Sequence, residues 1–241
     1  MTLEQYNEPH PNKVNSYGAT YGEHREFLEF NLIQHKELKI FAENLGLIYS
    51  TSVWDTTSAI EIISLNPILI KVPSACNNNF DMLKVLRDTY SGEVHISFGM
   101  TTKMEEEEIV SFFEDSNQAH RLTIYACTSG YPVAFEEVCM LEINRISDKF
   151  KNRVKAIGFS GHHLGIAIDI AAYALGASYI ERHFTLDRTW KGTDHSASLE
   201  PTGLRKLARD LDATYKSLSF KASDILSVEQ IQRDKLKYRK R

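Results

Sequence analysis

The sequence predicts a parallel α/β protein of the (β/α)8 TIM-barrel type, and three observations carry that expectation. Six short apolar runs alternate with segments long enough for one helix each, the pattern of a parallel sheet covered by helices. Nearly every run ends in hydroxyl, imidazole or charged residues. No GxGxxG or other glycine-rich phosphate loop follows any run, which argues against a doubly wound nucleotide fold with its chemistry at one switch point. Six decorated strand ends favour a ring of strands that points all of its C-terminal ends at one centre.

The runs are Leu47 to Tyr49, Ile68 to Val72, Val94 to Phe98, Leu122 to Ala126, Val154 to Phe159 and Ala177 to Ile180. An irregular segment, 1–22, precedes them. Glu23 to Leu45 reads as one helical face or two short ones, stopped by Gly46. Helices are then expected over Ser58 to Ser64, Phe80 to Tyr90, Met104 to Phe113 and Phe135 to Ile146. The Ala- and Ile-rich stretch from Leu164 closes on Leu175-Gly176, a helix stop. A last helix, Pro201 to Leu218, starts on a proline suited to a first turn. The barrel-type region therefore spans 23–220, with 221–241 as a basic helical tail containing Arg233, Lys235, Lys237, Arg239, Lys240 and Arg241, read as a solvated helix end. The four acids Glu105 to Glu108 read as a solvated helix start favoured by the helix dipole.

With 241 residues, 42% of them hydrophobic, the chain can bury a sizeable core,. A net charge of −4 argues against nucleic acid as a main partner,. No run approaches the roughly 18 apolar residues of a membrane span, and the first residues do not read as a signal peptide, so a cytoplasmic, membrane-free protein is expected. Three cysteines, Cys76, Cys127 and Cys139, lack CxxC spacing and read as reduced thiols,.

The strand ends hold the candidate chemistry. His162 and His183 end two successive runs, so both stand on one rim, where two neutral imidazoles can share a divalent ion and leave positions for water or substrate. Hydrogen-bonded structural histidines are the alternative. His163, next in sequence, points elsewhere in strand geometry and supports rather than ligates. Lys71 lies inside a buried run, so its ammonium must face an anion or carboxylate. It is either a Schiff-base lysine or the partner of a substrate phosphate or carboxylate. Ser74, Ser97, Ser129 and Ser160 can supply neutral donors around the same anion, or simply fit as small residues. Asp194 either binds sugar hydroxyls or caps the next turn.

These residues resemble the sialic acid synthase family over about Glu26 to Leu211. Gly158-Phe159-Ser160-Gly161-His162 resembles the family's G-[YFL]-S-[DG]-H element, and Ile180-Glu181-Arg182-His183-Phe184-Thr185 its I-E-[KR]-H-F-T element. Asp194 to Pro201 is similar to D-H-x-x-S-L-x-P, Ile70 to Ser74 to the K-I-x-S strand, and Ser97 to Met100 to S-T-G-M. The resemblance implies a (β/α)8 barrel with Mn2+ (or Mg2+ or Co2+) on His162 and His183. It implies phosphoenolpyruvate against Thr51, Lys71, Ser74, Ser97, Ser129 and Ser160, an amino sugar against Tyr131 and Asp194, and catalysis carried by Lys71, His162, His183 and Asp194. The implied reaction condenses phosphoenolpyruvate with an N-acylated amino sugar such as N-acetylmannosamine, giving a nonulosonic acid and phosphate.

Cys76 stands where the family commonly has glutamate, and Ser129 where it often has asparagine. The six runs match family strands 3 to 8. The motifs of the first two strands, with an acid/base glutamate and a second lysine, are not found before Tyr49, and the C-terminal antifreeze-like domain is absent from the sequence. The expectation is an incomplete barrel of six βα units that self-associates or takes its missing strands from a partner chain. The alternative is a non-catalytic fragment that binds metal or ligand, or that needs a partner for activity.

Overall fold

A computed structural model describes residues 3–238. Five parallel strands form one sheet in the order β1-β2-β3-β4-β5: β1 (Leu69–Val72), β2 (Glu93–Ser97), β3 (Leu122–Cys127), β4 (Ala156–Gly161) and β5 (Tyr179–Arg182). Strand order equals chain order, so there is no switch point, and the winding is that of a barrel rather than a doubly wound sheet. The sixth expected strand does not form. Leu47 to Tyr49 is unpaired, and the backbone reaches β1 only further on, where Lys71 N–H donates to Thr51 O (3.1 Å) and Val53 N–H to Lys71 O (2.9 Å). Leu47 and Ile48 are exposed rather than buried, so they gain nothing from strand pairing at that point.

Among the described residues ten α-helices accompany the sheet: α1 (Leu3–Asn7), α2 (Tyr21–Leu28), α3 (Leu32–Asn44), α4 (Thr56–Ser64), α5 (Phe80–Thr89), α6 (Lys103–Glu114), α7 (Glu142–Phe150), α8 (Ala167–Ala174), α9 (Pro201–Ser217) and α10 (Ser227–Leu236). Their starts follow local hydrogen-bonding chemistry. Thr20 with Glu23, Asn31 with Gln34, Asp55 with Ser58 and Thr102 with Glu105 form reciprocal capping boxes, each satisfying backbone N–H groups that a helix leaves free. The boxes at Thr20 and Asn31 divide the long periodic stretch 23–45 into two helices. Gly46 and Gly176 take positive φ (74° and 106°) behind α3 and α8, as expected of helix stops.

The helix expected from Phe135 begins late. Only a single 3-10 turn forms at Phe135–Glu137, and Cys139 at φ 53° interrupts the helical path before α7 starts at Glu142. Among the described residues the segment is irregular from 8 to 20, between α1 and the start of α2 at Tyr21. The tail forms α10, which has no buried residue; Arg239, Lys240 and Arg241 lie outside the described residues. Among the described residues, no helix is long and apolar enough to cross a membrane.

The acid run is not simply solvated. Glu106 is buried, and Arg145 of α7 donates to both its oxygens (2.9 and 2.7 Å). Glu107 pairs with Lys149 and Arg153 at 2.7 and 2.6 Å. The acids therefore stitch α6 to α7, and the bidentate, buried pair is the strongest of these contacts.

Parallel pairing places register partners on the same side of the sheet. Ile70, Val72, Val94, Ile96, Leu122, Ile124, Ile157 and Phe159 face the helices and form the core with Leu83, Leu86, Ile109, Phe113, Ile146 and Phe150. The other face is polar: Lys71 pairs in register with His95, Ser97 with Tyr125, Cys127 with Ser160, Ser160 with Glu181, and Gly158 with Tyr179. Its floor is a layer of His95, Tyr125 and Tyr179. His95 Nδ1 lies 2.7 Å from the Tyr125 hydroxyl and its Nε2 3.2 Å from Glu93, and its ring meets Tyr179 edge-on at 4.9 Å. Gly158 leaves room for the Tyr125 ring, since a Cβ there would come within 2.5 Å of it.

Two outcomes are expected. Gly158→Ala must displace a ring that is 95% buried by relative exposure of 5%, and a loss of about 1–3 kcal/mol should appear in urea denaturation. Burial, opposed by Glu93, holds the His95 pKa below its ordinary value. Its neutral form is therefore the folded one, and its contribution to stability is present above pH 6.5 and lost as pH falls through the lower folded value. The Tm difference between pH 7.5 and pH 5.5 should accordingly be smaller in His95→Gln than in the unmodified chain.

Candidate active site

The polar face opens, at the C-terminal ends of the strands, into a cavity of about 610 Å3. Lys71, Ser74, Ser97, Tyr131, Ser160, His162, His183 and Asp194, eight of the ten residues expected from the sequence, line it. Thr51 does not; its carbonyl accepts from Lys71 N–H. Ser129 lines an adjoining pocket, with its buried hydroxyl close to Gly99.

Strand alternation explains the convergence. Lys71 projects inward from β1 and is 93% buried by a relative exposure of 7%. Its ammonium donates to Ser97 Oγ (2.7 Å) and Val72 O (3.0 Å) and stands 3.6 Å from Glu181 Oε2. Burial lowers its pKa, and the Glu181 carboxylate acts against that shift. Three oxygen partners hold it as a cation aimed at the cavity. Ser74 Oγ accepts from Gly99 N–H at 3.0 Å. A Cβ on Gly99 would fall 2.3 Å from Ser129 Oγ, 2.7 Å from Ser74 Oγ and 3.1 Å from Cys127 Sγ, so the missing side chain is what lets these groups gather.

The two histidines face each other with ring centroids 5.1 Å apart, and Tyr131 packs against both at 4.4 and 5.6 Å. His162 Nδ1 is 2.9 Å from Thr128 O. A carbonyl only accepts, so Nδ1 carries the proton and the neutral ring keeps its lone pair on Nε2. Burial works against protonation of His162, but the Cys127 hydrogen bond and the Thr128 carbonyl outweigh it and raise the pKa. Burial likewise pushes the Cys127 thiol up, but hydrogen bonds with His162, Ser74 and Ser160 bring it below its ordinary value. Burial holds His183 low, with Asp194 opposing and His162 reinforcing the shift. Asp194 caps nothing with its side chain; its carboxylate accepts from Thr193 Oγ1 (2.9 Å) and approaches His183 Nδ1 at 3.7 Å.

Among the described residues no group of three or more His, Cys, Asp and Glu stands in metal-binding geometry. The imidazole pair nevertheless fits a borderline divalent ion bound by two nitrogens, with the remaining positions left for water and substrate. The residues between the inward groups point the other way. Arg182, between Glu181 and His183, donates to Asp169 (2.5 Å), His163 Nε2 (3.1 Å) and His163 O (2.6 Å). Asp169 and His163 are completely buried. This knot ties α8 to the ends of β4 and β5 and so sets the spacing of His162 and His183.

Sequence reasoning passed over five contributors to the cavity. Cys127 reads as an inert thiol, yet its place two residues after Tyr125 on β3 puts it inward. Glu181 is noted only as a polar strand end, although its spacing from His183 gives the same face. His10, His24 and Arg25 carried no local signal, because they arrive from outside the sheet.

A parallel α/β barrel-type sheet carries a buried lysine, an imidazole pair and hydroxyl groups together at its C-terminal rim, the end where barrels of this class hold their chemistry,. The chain belongs to the NeuB family, whose pattern matches residues 1–223. It is 38% identical over 221 residues to the N-acetylneuraminate-9-phosphate synthase of Homo sapiens, covering 92% of this chain and 60% of that protein. It is 34% identical over 192 residues to the N,N'-diacetyllegionaminic acid synthase of Campylobacter jejuni, covering 79% and 56%. The crystal structure of N-acetylneuraminic acid synthetase from Leptospira borgpetersenii in complex with citrate superposes with a TM-score of 0.76 at 26% identity, over 88% of this chain and 73% of that one. The chain thus spans about three fifths of the length of these curated synthases.

Replacing Arg182 by Met should leave the Asp169 carboxylate buried without its cation. A stability loss of about 3–5 kcal/mol is expected, read from the midpoint of guanidinium denaturation.

Proposed function

We propose that this chain carries the condensing site of a nonulosonic acid synthase, joining phosphoenolpyruvate to an N-acylated amino sugar such as N-acetylmannosamine. The observation that carries this reading is the buried Lys71 ammonium, ringed by hydroxyl donors on one side of the cavity, with the His162–His183 pair on the other side of the same strand ends. Relatives named as N-acetylneuraminate-9-phosphate and N,N'-diacetyllegionaminic acid synthases support it.

In this reading Lys71 neutralises an anionic group of phosphoenolpyruvate, while Ser74, Ser97 and Ser160 donate to its oxygens, with Ser129 and Thr51 close behind. Lys71 acts as a cation rather than an imine-forming amine, because Ser97, the Val72 carbonyl and Glu181 all engage its ammonium. His162 and His183 would hold a divalent ion, Mn2+ or alternatively Mg2+ or Co2+, which when bound supplies Lewis acidity toward the sugar's carbonyl oxygen. Tyr131 and Asp194 hold the sugar, and the cavity brings its open-chain aldehyde carbon against C3 of phosphoenolpyruvate. A carbon–carbon bond forms there and the aldehyde oxygen takes up a proton. Water adds at C2, and departure of phosphate leaves the 2-keto acid.

Completion by a second copy or a partner chain accompanies this proposal. The open sheet and an exposed apolar surface on α3, including Ile33, Ile40 and Phe41, favour association, since such patches otherwise stay in water. A cytoplasmic setting suits substrates of this kind. The second reading, a fragment that binds ligand without turnover unless joined by that partner, rests on the same open edge.

The test is phosphate release from phosphoenolpyruvate with N-acetylmannosamine or a diacetamido-hexose and Mn2+. Release that requires both sugar and metal and falls at least about a hundredfold in Lys71→Met and His183→Ala is expected. Absence of release at any protein concentration, with bound Mn2+ still lost in His183→Ala, would instead assign the binding fragment.

A further inference from the structure

The mouth of the cavity is crossed by a strap of chain that the condensation reading does not use. Residues 8–20 lead from α1 to α2, and Pro11 and Asn12 of this strap, with His24 and Arg25 of α2, line the same space as Lys71 and the histidine pair. Strap and α2 form one unit. Tyr21 N–H donates to Glu8 O (2.8 Å) and Pro9 bridges Thr20. Tyr17 N–H donates to His24 Nδ1 (3.1 Å), and the Tyr17 ring stacks on Phe27 at 4.5 Å. This unit rests lightly on the barrel. The buried residues of α2 are Gly22 and His24, whereas Val14, Phe27 and Leu28 are exposed. A segment with so little apolar burial opens locally at far lower cost than the core.

The strap is fastened to the loop that carries Asp194. Tyr17 Oη donates to Lys191 O (2.5 Å), Gly192 N–H donates to Asn15 Oδ1 (3.4 Å), and Lys191 Nζ lies 5.0 Å from the centre of the Tyr17 ring. Beyond Asp194 the loop is anchored to the barrel end: His195 Nδ1 lies 2.8 Å from Oγ1 of the buried Thr185, and Asp194 O accepts from Ala197 N–H (3.1 Å) and Ser198 Oγ (2.8 Å). Ahead of Asp194 the contacts to Tyr17 and Asn15 hold the backbone, and Lys191 and Thr193 are exposed. Gly192 between them takes φ 152°, and a Cβ there would come within 2.5 Å of the His195 ring. The path of the chain into Asp194 is therefore set from the strap side.

We infer that Tyr17 and Asn15 are positioning residues. By latching the strap to the Lys191–Asp194 loop they make closure of the mouth and placement of the Asp194 carboxylate a single event, and release of the latch admits the sugar. Lys71, with 7% exposure, lies at the base of the cavity, and the Asp194 side chain, 47% exposed, at its mouth. An open latch thus disturbs the sugar's wall and leaves the phosphoenolpyruvate side in place. The role given to Asp194 rests on the sugar-condensing reading; the latch itself belongs to the chain before any substrate binds.

Hydrogen exchange of the full chain, read by mass spectrometry, tests the latch without turnover. Tyr17→Phe, which keeps the ring and loses the hydroxyl, combined with Asn15→Ala should speed exchange at least about fivefold in both 9–20 and 187–194 and leave the peptides of β1 to β5 unchanged. Faster exchange confined to the strap, or no change in either segment, would overturn the latch. Should the strand peptides accelerate as well, Tyr17→Phe alone decides by the same comparison. In the phosphate-release assay the double variant should raise KM for N-acetylmannosamine at least about fivefold with KM for phosphoenolpyruvate unchanged. Equal rises, or none, would overturn the positioning of Asp194. A chain that releases no phosphate while the two segments respond together would remove the condensing reading and uphold the latch; phosphate release with segments that respond separately would do the reverse.

Discussion

The parallel register of the sheet is the constraint on which everything else in this protein depends. Because side chains alternate with period two and register partners share a side, five strands in sequential order separate the chain into an apolar half and a polar half. One half packs Ile70, Ile96, Ile124 and Phe159 under the helices. The other gathers Lys71, Ser97, Cys127, Ser160 and Glu181 around one cavity. A slip of one residue in any strand would exchange the two sets, so the hydrophobic core and the chemistry are enforced by the same hydrogen bonds.

The polar half is costly to assemble, and its groups are held in pairs that offset the cost. The Lys71 ammonium is buried against Ser97 and Glu181; the Cys127 thiol and His162 imidazole shift each other's pKa in opposite directions. Behind them, Arg182 and Asp169 form a fully buried ion pair that binds the strand ends to α8. An isolated charge at any of these places would be strongly disfavoured. Each is tolerated because its partner arrives from a neighbouring strand or from the covering helix, and this ties rim geometry to the integrity of the fold.

Legibility from sequence tracked the range of the interactions involved. The strands from Ile68 onward and the glycine stops at Gly46 and Gly176 follow from periodicity and helix-stop chemistry, which are local, whereas one helix or two over 23–45 stayed open until the capping boxes at Thr20 and Asn31 divided it. Leu47 to Tyr49 misled because three apolar residues before a polar stretch resemble a strand, while pairing with β1 depends on where the chain arrives in space. The helix expected at Phe135 was cut short by a positive φ at Cys139, a conformation that composition does not announce. The acid run at Glu105 to Glu108 looked solvated because its partners Arg145, Lys149 and Arg153 lie a helix away.

The sequence by itself determined the parallel α/β class, the strand ends that carry chemistry, and family membership through motifs around His162, His183 and Asp194. These are properties of short segments, whose periodicity and residue types act over a few positions. Only the tertiary structure decided that Cys127 and Glu181 join the cavity, that Thr51 contributes backbone rather than side chain, and that Asp194 faces His183 instead of capping a turn. It alone brought His10, His24 and Arg25 to the mouth, because the segment carrying them is positioned by contacts with Lys191 and Gly192, some 175 residues away. Contacts at that separation are set by packing of the whole chain and leave no trace in local pattern.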